Sequence, residues 1–317
     1  HQQLQPPTQQ LLLHQQLQQQ FPGNYQLKKH GKSFYFAQLL LNKQLRSPIH
    51  ALYQVCRLID DIGDNPDLSQ ADAHKQLDGL EQLIAKHTHQ GQVTITQSHQ
   101  ITSTALHTLI QGVRSDRHHQ QYAHCDDLIT YCYQVAGTVG LMMCDLMNIK
   151  QTEARIKAID LGVAMQLTNI ARDVWTDATL GRVYLPKSLI GTVSCQTLRN
   201  APPGHPPINQ AIRKLLARAE FFYHSGKSGI SAIPKPYRTC ILTAACLYQA
   251  IGKAIQRNGY FTPNQRSYVS LWKKIGITGQ CILHNRKAEE HLNTHISPSN
   301  NDLFRHLPFF MNAETVR

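Results

Sequence analysis

Apolar residues recur at helical spacing through most of the chain from about residue 33 onward. Pro and Gly residues punctuate this pattern and set the expected helix ends. We predict helices at residues 34–45, 47–64, 69–87, 98–113, 126–148, 152–177, 207–225, 235–257 and 266–291. β-Branched residues cluster in one short run, Gln92–Thr96, with polar neighbours on both sides. The pattern therefore indicates an all-α protein.

The same pattern bounds the domains. The Pro-rich stretch at 202–207 is too short to separate two domains, so we expect one catalytic domain over residues 25–292. A Gln-rich N-terminal tail at residues 1–24 and a C-terminal tail at residues 293–317 would flank it. No apolar stretch approaches the roughly 20 residues that a membrane-spanning helix needs. We therefore expect a cytoplasmic protein, soluble or peripheral at the membrane.

The composition is basic, since the 317 residues carry a net charge of +12. Such a surface suits anionic partners, including phosphate-bearing substrates. The Lys and Arg residues are dispersed and do not alternate with aromatic residues as in RNA-binding surfaces, so we expect no nucleic acid partner. The eight Cys form no Cys-x-x-Cys pair, which favours reduced thiols over a disulfide framework.

A first group of polar residues lies on one face of the predicted helix 47–64. Tyr53, Arg57, Asp60 and Asp64 are spaced 4, 3 and 4 residues apart, which aligns them. Carboxylates at the C-terminal end of a helix oppose its dipole unless a cation binds there. Mg²⁺ prefers such oxygen ligands and shares them with substrate phosphates. A solvated last helical turn explains the same residues, and for this pair alone that explanation is favoured.

The second group of polar residues is denser. Gln166, Asn169, Asp173 and Asp177 are spaced 3, 4 and 4 residues apart on the longest predicted middle helix. Two carboxylates and an amide oxygen thus point the same way, and Arg182 follows in the segment that ends the helix. We call the set Tyr53, Arg57, Asp60 and Asp64 the first stripe and the set Gln166, Asn169, Asp173 and Asp177 the second stripe. Two such stripes can face each other across a helical bundle, whose interior often holds carboxylate metal sites. Both stripes together therefore predict a divalent metal site.

The predicted helix 126–148 would form a wall of this site. Four of its residues are predicted to share a face: Tyr131, Val135, Thr138 and Met142. Gly137 and Gly140 lie beside them, although Gly within a helix costs up to about 1 kcal/mol relative to Ala. The two glycines therefore indicate a close approach, made either by a ligand or by a neighbouring helix. A separate basic segment, Lys28–Ser33, lies at the start of the first predicted helix, where Lys charge and backbone N–H groups could bind a phosphate.

Five segments together resemble the squalene/phytoene synthase family. They occur in that family's order and at its usual separations: His30–Phe34, Tyr53–Asp64, Tyr131–Gly140, Gln166–Asp177 and Gly181–Pro186. The resemblance covers about residues 25–290. Within the family, two blocks are most similar to bacterial phytoene synthases: Val139–Met143 and Leu161–Asp173.

The resemblance implies a class I isoprenoid synthase fold, a single-domain helical bundle with a central active-site cavity. It also implies head-to-head condensation of two geranylgeranyl diphosphates to 15-cis-phytoene, in carotenoid biosynthesis. That reaction passes through prephytoene diphosphate and releases diphosphate. The implied cofactor is Mg²⁺, with Mn²⁺ as the alternative. By motif match its ligands would be Asp60, Asp64, Asn169, Asp173 and Asp177.

The same motif match implies roles for the remaining site residues. Residues expected to contact diphosphate oxygens are His30, Lys32, Ser33, Arg57, Arg172 and Arg266. Residues expected to bind substrate close by are Tyr53, Gln166 and Tyr248. Tyr131 and Arg182 match residues that the family places at the reacting centre, where the four metal-binding Asp also act.

One position departs from the family pattern, and alternatives remain open. The family commonly has Glu where this chain has Thr176, but the neighbouring Asp pair is intact, so we expect activity. A dehydrosqualene or squalene synthase using farnesyl diphosphate would differ in cavity depth. A non-catalytic family member acting as an assembly factor would lose acidic residues of these motifs. A lipid substrate and product imply transient contact with a membrane surface, and the sequence does not indicate the oligomeric state.

Overall fold

The computed structural model describes Leu13 and residues 32–290. His30 and the predicted tails, apart from Leu13, lie outside the described residues. Leu13 is buried in the core. Within the described range, no helix combines the length and the apolar character needed to cross a bilayer. All eight cysteines are free thiols, as expected from their spacing.

The described chain is mainly helical, which confirms the all-α prediction. The first six helices are α1 Lys32–Gln38, α2 Lys43–Asp64, α3 Gln70–His87, α4 Ser103–Asp116, α5 Cys125–Cys132 and α6 Thr138–Leu146. The next six are α7 Thr152–Thr179, α8 Lys187–Ile190, α9 Cys195–Asn200, α10 Pro206–Ser228, α11 Lys235–Arg257 and α12 Leu271–Glu290. The short helices α8 and α9 were not predicted, because four and six residues are too few for a visible periodicity.

The predicted helix 34–45 is in fact two helices. It breaks after Gln38, and α2 begins at Lys43. The Asn42 side chain accepts a hydrogen bond from the Leu45 backbone N–H at 3.0 Å and so caps the start of α2. Arg46 also donates to the carbonyl of Leu41 at 2.6 Å, which fixes the turn between the two helices. This local capping ends the first helix earlier than its apolar spacing suggests.

A small antiparallel sheet corrects another predicted boundary. Its strands, in the order β1-β2-β3, are β1 Thr88–His89, β2 Gln92–Thr96 and β3 His99–Thr102. Val93 and Ile95 of β2 are fully buried, as is Ile101 of β3, so one face of the sheet packs into the core. Because β3 pairs with β2, the helix predicted to begin at residue 98 begins only at Ser103.

Helix α7 is the central element of the bundle. Its 28 residues make it about 42 Å long. It packs against α6, α10 and α11, and its residues Leu167, Ile170 and Val174 are buried among them. Because side chains three and four positions apart share a helix face, the stripe from Gln166 to Asp177 points away from this packing surface.

A π-helical segment, Tyr133–Gly137, joins α5 to α6 and changes which side chains form the wall. The wider turn shifts the side chains that follow it relative to a regular helix. Val139 and Met143 therefore line a cavity beside α7, whereas Met142 is fully buried elsewhere. The predicted stripe from Tyr131 to Met142 was wrong in its second half for this reason.

The glycines of this wall serve close backbone packing. A Cβ on Gly140 would lie 2.3 Å from the carbonyl oxygen of Ala158, and one on Gly162 would lie 2.3 Å from that of Ala136. Only Gly leaves room for the two backbones at these points, so α7 lies directly against α6 and the π-helical segment. Of the two explanations for the glycines, approach of a neighbouring helix therefore applies to Gly140.

Candidate active site

A polar cleft of about 810 Å³ lies beside the C-terminal half of α7. Most residues singled out from the sequence line it: Ser33, Arg57, Asp60, Asp64, Tyr131, Gln166, Asn169, Arg172, Asp173, Asp177, Arg182, Tyr248 and Arg266. Helices α2, α4, α7 and α11 contribute to its walls. The bundle thus brings residues from distant parts of the chain into one site.

Three predicted residues lie elsewhere or have no described side chain. Tyr53 lines an apolar cavity next to the cleft, and burial raises its pKa to about 12. Lys32 begins α1, directly before Ser33, but only its backbone is described. His30 lies outside the described residues. Their expected contacts with substrate therefore stay predictions.

Arginines hold the carboxylates of the first stripe. Arg57 donates from Nη1 to Asp60 Oδ2 at 2.8 Å and also pairs with Asp61. One turn later, Asp64 Oδ1 accepts from Arg182 Nη1 at 2.6 Å. Since Arg182 comes from the segment after α7, this ion pair joins the end of α2 to the end of α7.

Asp60 occupies an unfavourable place for a negative charge. Its side chain faces the cleft and is 48% exposed. Desolvation by the surrounding protein and the charge of Asp64 raise its pKa to about 7, against the opposing charge of Arg57. A bound cation stabilises a carboxylate in such a place. A positive charge in addition to that of Arg57 would therefore stabilise the ionised form of Asp60.

Asp173 is held by two arginines at once. Arg172 donates Nε to Oδ1 at 2.8 Å and Nη2 to Oδ2 at 2.6 Å. Arg266 makes the same pair of bonds at 2.8 and 2.7 Å. Burial acts to raise the pKa of Asp173, but the bonds and charges of both arginines outweigh it and hold the pKa below its usual value. Arg266, expected on a substrate phosphate, here binds a carboxylate with the same fork of donors.

Two oxygen groups of the second stripe have no donor among the described residues. Asn169 donates Nδ2 to Gln166 Oε1 at 3.3 Å, while its own Oδ1 is buried and accepts no hydrogen bond. Asp177 makes no ion pair or side-chain hydrogen bond within the described chain. Burial and the charge of Asp173 raise the pKa of Asp177 well above its usual value. A buried oxygen without a partner, such as Asn169 Oδ1, is costly, and the Asp177 carboxylate carries a charge that no described side chain pairs with, so both groups suit a cation.

The residues fit a divalent ion in chemistry, although they do not form a closed ligand set. Within residues 32–290, no three His, Cys, Asp or Glu side chains are grouped as preformed metal ligands. Several of the carboxylates are instead ion-paired with arginines. The candidate donors are carboxylate and amide oxygens, the hard ligands that Mg²⁺ and Mn²⁺ prefer.

Asp116 is a further member of the site that the sequence patterns did not indicate. Its Oδ2 accepts a hydrogen bond from the Tyr131 hydroxyl at 2.8 Å, and its Oδ1 accepts one from the Tyr184 hydroxyl at 2.7 Å. Burial raises the pKa of Asp116 to about 6, although the charge of Arg182 opposes this. Burial also raises the pKa of both tyrosines, so each hydroxyl stays protonated and donates.

An apolar cavity opens from the inner wall of the cleft, and Gln166, Asn169 and Tyr248 line both spaces. It follows α7 from Asn169 to Ala154, about 22 Å at 1.5 Å per residue. Its apolar lining includes Phe34, Ile49, Leu52, Val139, Met143, Met147, Leu161, Ile230 and Ile241. A long apolar cavity beside an anion-binding cleft suits an amphiphile with a charged head and a hydrocarbon tail.

Comparison with known proteins identifies the family. The squalene/phytoene synthase family model matches residues 27–273, which include every cleft residue described above. This chain belongs to the squalene/phytoene synthase family. The resemblance inferred from five sequence segments is thereby confirmed.

Curated members of the family are similar over most of their length. The 15-cis-phytoene synthase of Paracoccus sp. (strain N81106 / MBIC 01143) is 33% identical over 78% of this chain and 86% of its own. The enzyme of that name from Enterobacter agglomerans is 30% identical over 80% of this chain and 92% of its own. That from Synechococcus elongatus is 32% identical over 78% of this chain and 87% of its own.

Solved structures share the helical bundle. A dehydrosqualene synthase superposes with a TM-score of 0.69 at 25% identity, covering 87% of this chain and 99% of its own. Squalene synthase HpnC from Alicyclobacillus acidocaldarius gives a TM-score of 0.61 at 22% identity, covering 74% of this chain and 92% of its own. The expected isoprenoid synthase fold is confirmed.

Proposed function

We propose that this protein is a phytoene synthase. It condenses two geranylgeranyl diphosphates head to head to 15-cis-phytoene, through prephytoene diphosphate and with release of diphosphate, in carotenoid biosynthesis. The observation that carries the proposal is an acidic, arginine-lined cleft that opens into a long apolar cavity. It is supported by curated 15-cis-phytoene synthases 30–33% identical to this chain.

The diphosphate groups would bind in the cleft. Arg57, Arg172, Arg182 and Arg266 each already hold a carboxylate there, and a guanidinium binds phosphate with the same geometry. Neutralising the charge of a diphosphate makes it a better leaving group, which favours ionisation to an allylic cation. The arginines of this chain thereby bind the substrate and assist departure of its head group.

Mg²⁺, with Mn²⁺ as the alternative, would be held by the two acidic stripes. The proposed ligands are Asp60, Asp64, Asn169, Asp173 and Asp177. The fit is supported by the two groups without a donor, Asn169 Oδ1 and the Asp177 carboxylate. When bound, the ion supplies Lewis-acid neutralisation of the diphosphate charge.

The apolar cavity would hold a prenyl tail and keep water from the allylic cation. A geranylgeranyl tail has sixteen main-chain carbons, which at C–C bonds of about 1.5 Å zigzag to about 19 Å. The cavity length of about 22 Å along α7 accommodates that tail. The shorter farnesyl tail would leave its far end, near Ala154, unfilled.

Tyr131 would act at the reacting centre, where Asp116 orients its hydroxyl. The last step removes a proton from the rearranged cation and needs an acceptor close by. The two candidates are the Tyr131 oxygen, whose proton already bonds to Asp116, and the released diphosphate. Both lie at the polar side of the cavity, away from its apolar end.

The proposal is tested by product analysis of the purified protein with geranylgeranyl diphosphate, with Mg²⁺ present or removed by a chelator. We expect phytoene only when Mg²⁺ is present and its loss in Asp60→Ala and Asp173→Ala. Asp67→Ala is the matched control, since Asp67 is an exposed carboxylate just beyond α2. Unchanged product in the two cleft variants would contradict the proposal and favour a non-catalytic assembly factor.

A C30 enzyme is the second candidate, because a dehydrosqualene synthase shares this fold with a TM-score of 0.69. Such an enzyme would join two farnesyl diphosphates in the same cleft. Incubation with farnesyl diphosphate alone separates the candidates. A C30 product, with none from geranylgeranyl diphosphate, would overturn the phytoene assignment.

A further inference from the structure

Helix α12 turns its large apolar side chains outward. Trp272 is 82% exposed and Leu271 is 60% exposed, and Tyr268, just before the helix, is 79% exposed. Ile275 and Leu283 follow at helical spacing and are also exposed. The opposite face of the helix packs inward through Ile277, Thr278 and Cys281. Apolar side chains in such a row mark a surface that binds something.

Two leucines in the turn that follows the neighbouring helix α1 extend this patch. Leu39 and Leu40 are exposed directly after α1, which packs on α11 as α12 does. The Lys274 ammonium of α12 lies 5.8 Å from the ring centroid of Phe36 in α1, so the two helices are adjacent. We call the set Leu39, Leu40, Tyr268, Leu271, Trp272, Ile275 and Leu283 the α12 face. It holds seven of the nine exposed large apolar residues among those described, which argues against random scatter.

The surroundings of the α12 face are strongly basic. Residues 221–288, which include α11 and most of α12, contain ten Lys and Arg and no Asp or Glu, and of these ten Arg266 pairs with Asp173. Burial lowers the pKa of Lys273, and the nearby charges of Arg257 and Lys253 in the last turns of α11 lower it further. None of the three makes an ion pair within the part of the chain that the structure describes. The group Lys253, Arg257 and Lys273 therefore forms a cluster of cations that attracts an anionic surface.

The α12 face also borders the entrance to the candidate active site. Tyr268 belongs to both the face and the cleft lining, and Ser267, Val269 and Lys274 line the cleft beside it. A surface that binds this face would therefore lie next to the open side of the cleft, since Tyr268 is both exposed and part of the cleft lining.

We infer that the α12 face docks onto a bilayer surface that contains anionic lipid. Trp and Tyr prefer the interface between headgroups and acyl chains, where the exposed leucines and Ile275 also gain from burial. The cations beside them pair with anionic headgroups. The inference rests on the proposed function for its purpose, since docking would deliver an amphiphilic substrate and receive a hydrocarbon product at the cleft entrance.

Vesicle co-sedimentation of the full chain tests this inference. The probes are phosphatidylcholine vesicles with and without phosphatidylglycerol, and the variant is Leu271→Ser, Trp272→Ser and Ile275→Ser combined. These three side chains are exposed and do not line the cleft, so the fold and the site remain. Phe221→Ser is the matched control, because Phe221 is exposed on α10, outside the α12 face.

We expect wild type and Phe221→Ser to bind phosphatidylglycerol vesicles equally, and the triple variant to lose at least about tenfold in partition coefficient. Lys253→Gln with Lys273→Gln should weaken binding to the anionic vesicles, as should added salt. Vesicle binding of the triple variant equal to wild type would overturn the inference, as would absence of wild-type binding. A dimer that the triple substitution dissociates, with no vesicle binding, would instead assign the face to a second copy.

Turnover in detergent micelles keeps this test separate from the proposed function. The triple variant should retain wild-type turnover in micelles, because its cleft is intact. If no prenyl diphosphate reacts while vesicle binding follows the expected pattern, the proposed function fails and the docking face stands. If phytoene forms while the triple variant binds vesicles like wild type, the docking face fails and the function stands.

Discussion

Asp116→Asn is a sharp perturbation of the site because it acts outside the proposed metal ligands. Asp116 accepts one hydrogen bond from Tyr131 at 2.8 Å and one from Tyr184 at 2.7 Å. Asn has nearly the same shape but offers one acceptor oxygen and an NH₂ donor. One tyrosine therefore loses its bond to residue 116 and keeps only the longer contact of 3.2 Å between the Tyr131 and Tyr184 hydroxyls. The bond that residue 116 still accepts is no longer charge-assisted.

The expected magnitude follows from these two bonds. A hydrogen bond to a charged group contributes about 1.5–3 kcal/mol, and one between neutral groups about 1 kcal/mol. Loss of about 1.5–3 kcal/mol in the orientation of Tyr131 lowers kcat by about 10- to 150-fold. Stability should change little, because removing the Asp116 charge also relieves repulsion that raises the pKa of Asp60 and Asp177.

The assay combines steady-state kinetics with geranylgeranyl diphosphate and thermal unfolding. We expect kcat to fall while KM and the unfolding temperature stay close to those of wild type. Tyr184→Phe is the matched control, since it removes the bonds of the Tyr184 hydroxyl to Asp116 and to Tyr131 and leaves both the Asp116 charge and the Tyr131–Asp116 bond. A folded Asp116→Asn protein with wild-type kcat would refute the view that Asp116 positions Tyr131 for the reaction.

Three further predictions concern packing, chain length and pH. Gly140→Ala puts a Cβ 2.3 Å from the Ala158 carbonyl oxygen and should lower unfolding stability by about 1–3 kcal/mol. As a control, the new Cβ of Gly79→Ala meets no atom within 4 Å, so this variant should raise unfolding stability by about 0.5–1 kcal/mol. Equal changes in the unfolding stability of the two variants would argue against close packing of α6 on α7. Ala158→Phe fills the cavity about 16 Å from Asn169 along α7, so turnover of geranylgeranyl diphosphate should fall while that of farnesyl diphosphate persists. Unchanged preference in a competition assay would show that the tail lies elsewhere. In metal-free protein the pKa values of Asp60 and Asp116 are raised to about 7 and about 6, so the folded state binds these protons more tightly than the unfolded chain. Their contribution to stability is present below about pH 4 and is lost as the pH rises through about 7. The unfolding temperature in chelator should fall across that range and Mg²⁺ should restore it at the upper end, whereas a rise in chelator would contradict the shifts.

The parts of the site that lie on single helices could be predicted from the sequence. Asp173 and Asp177 are four residues apart on α7, so helical geometry alone puts them on one face. The same holds for Asp60 and Asp64 on α2. Family motifs then added Arg182, whose contact with Asp64 joins positions 118 residues apart.

Other parts depend on tertiary packing that periodicity does not contain. Asp116 ends α4 without an acidic partner at helical spacing, and only the fold brings it to Tyr131 and Tyr184. Arg266 reaches Asp173 across 93 residues of chain, where a substrate phosphate had been expected. The π-helical turn after Tyr131 moves Met143 into the cavity wall, since it widens one turn without altering the apolar pattern.

The most direct test of the account is a competition between geranylgeranyl and farnesyl diphosphate for the wild-type protein with Mg²⁺. The cleft and the cavity of about 22 Å predict a higher kcat/KM for geranylgeranyl diphosphate, with 15-cis-phytoene as the product. A preference for farnesyl diphosphate with only a C30 product, or no product from either substrate, would contradict it.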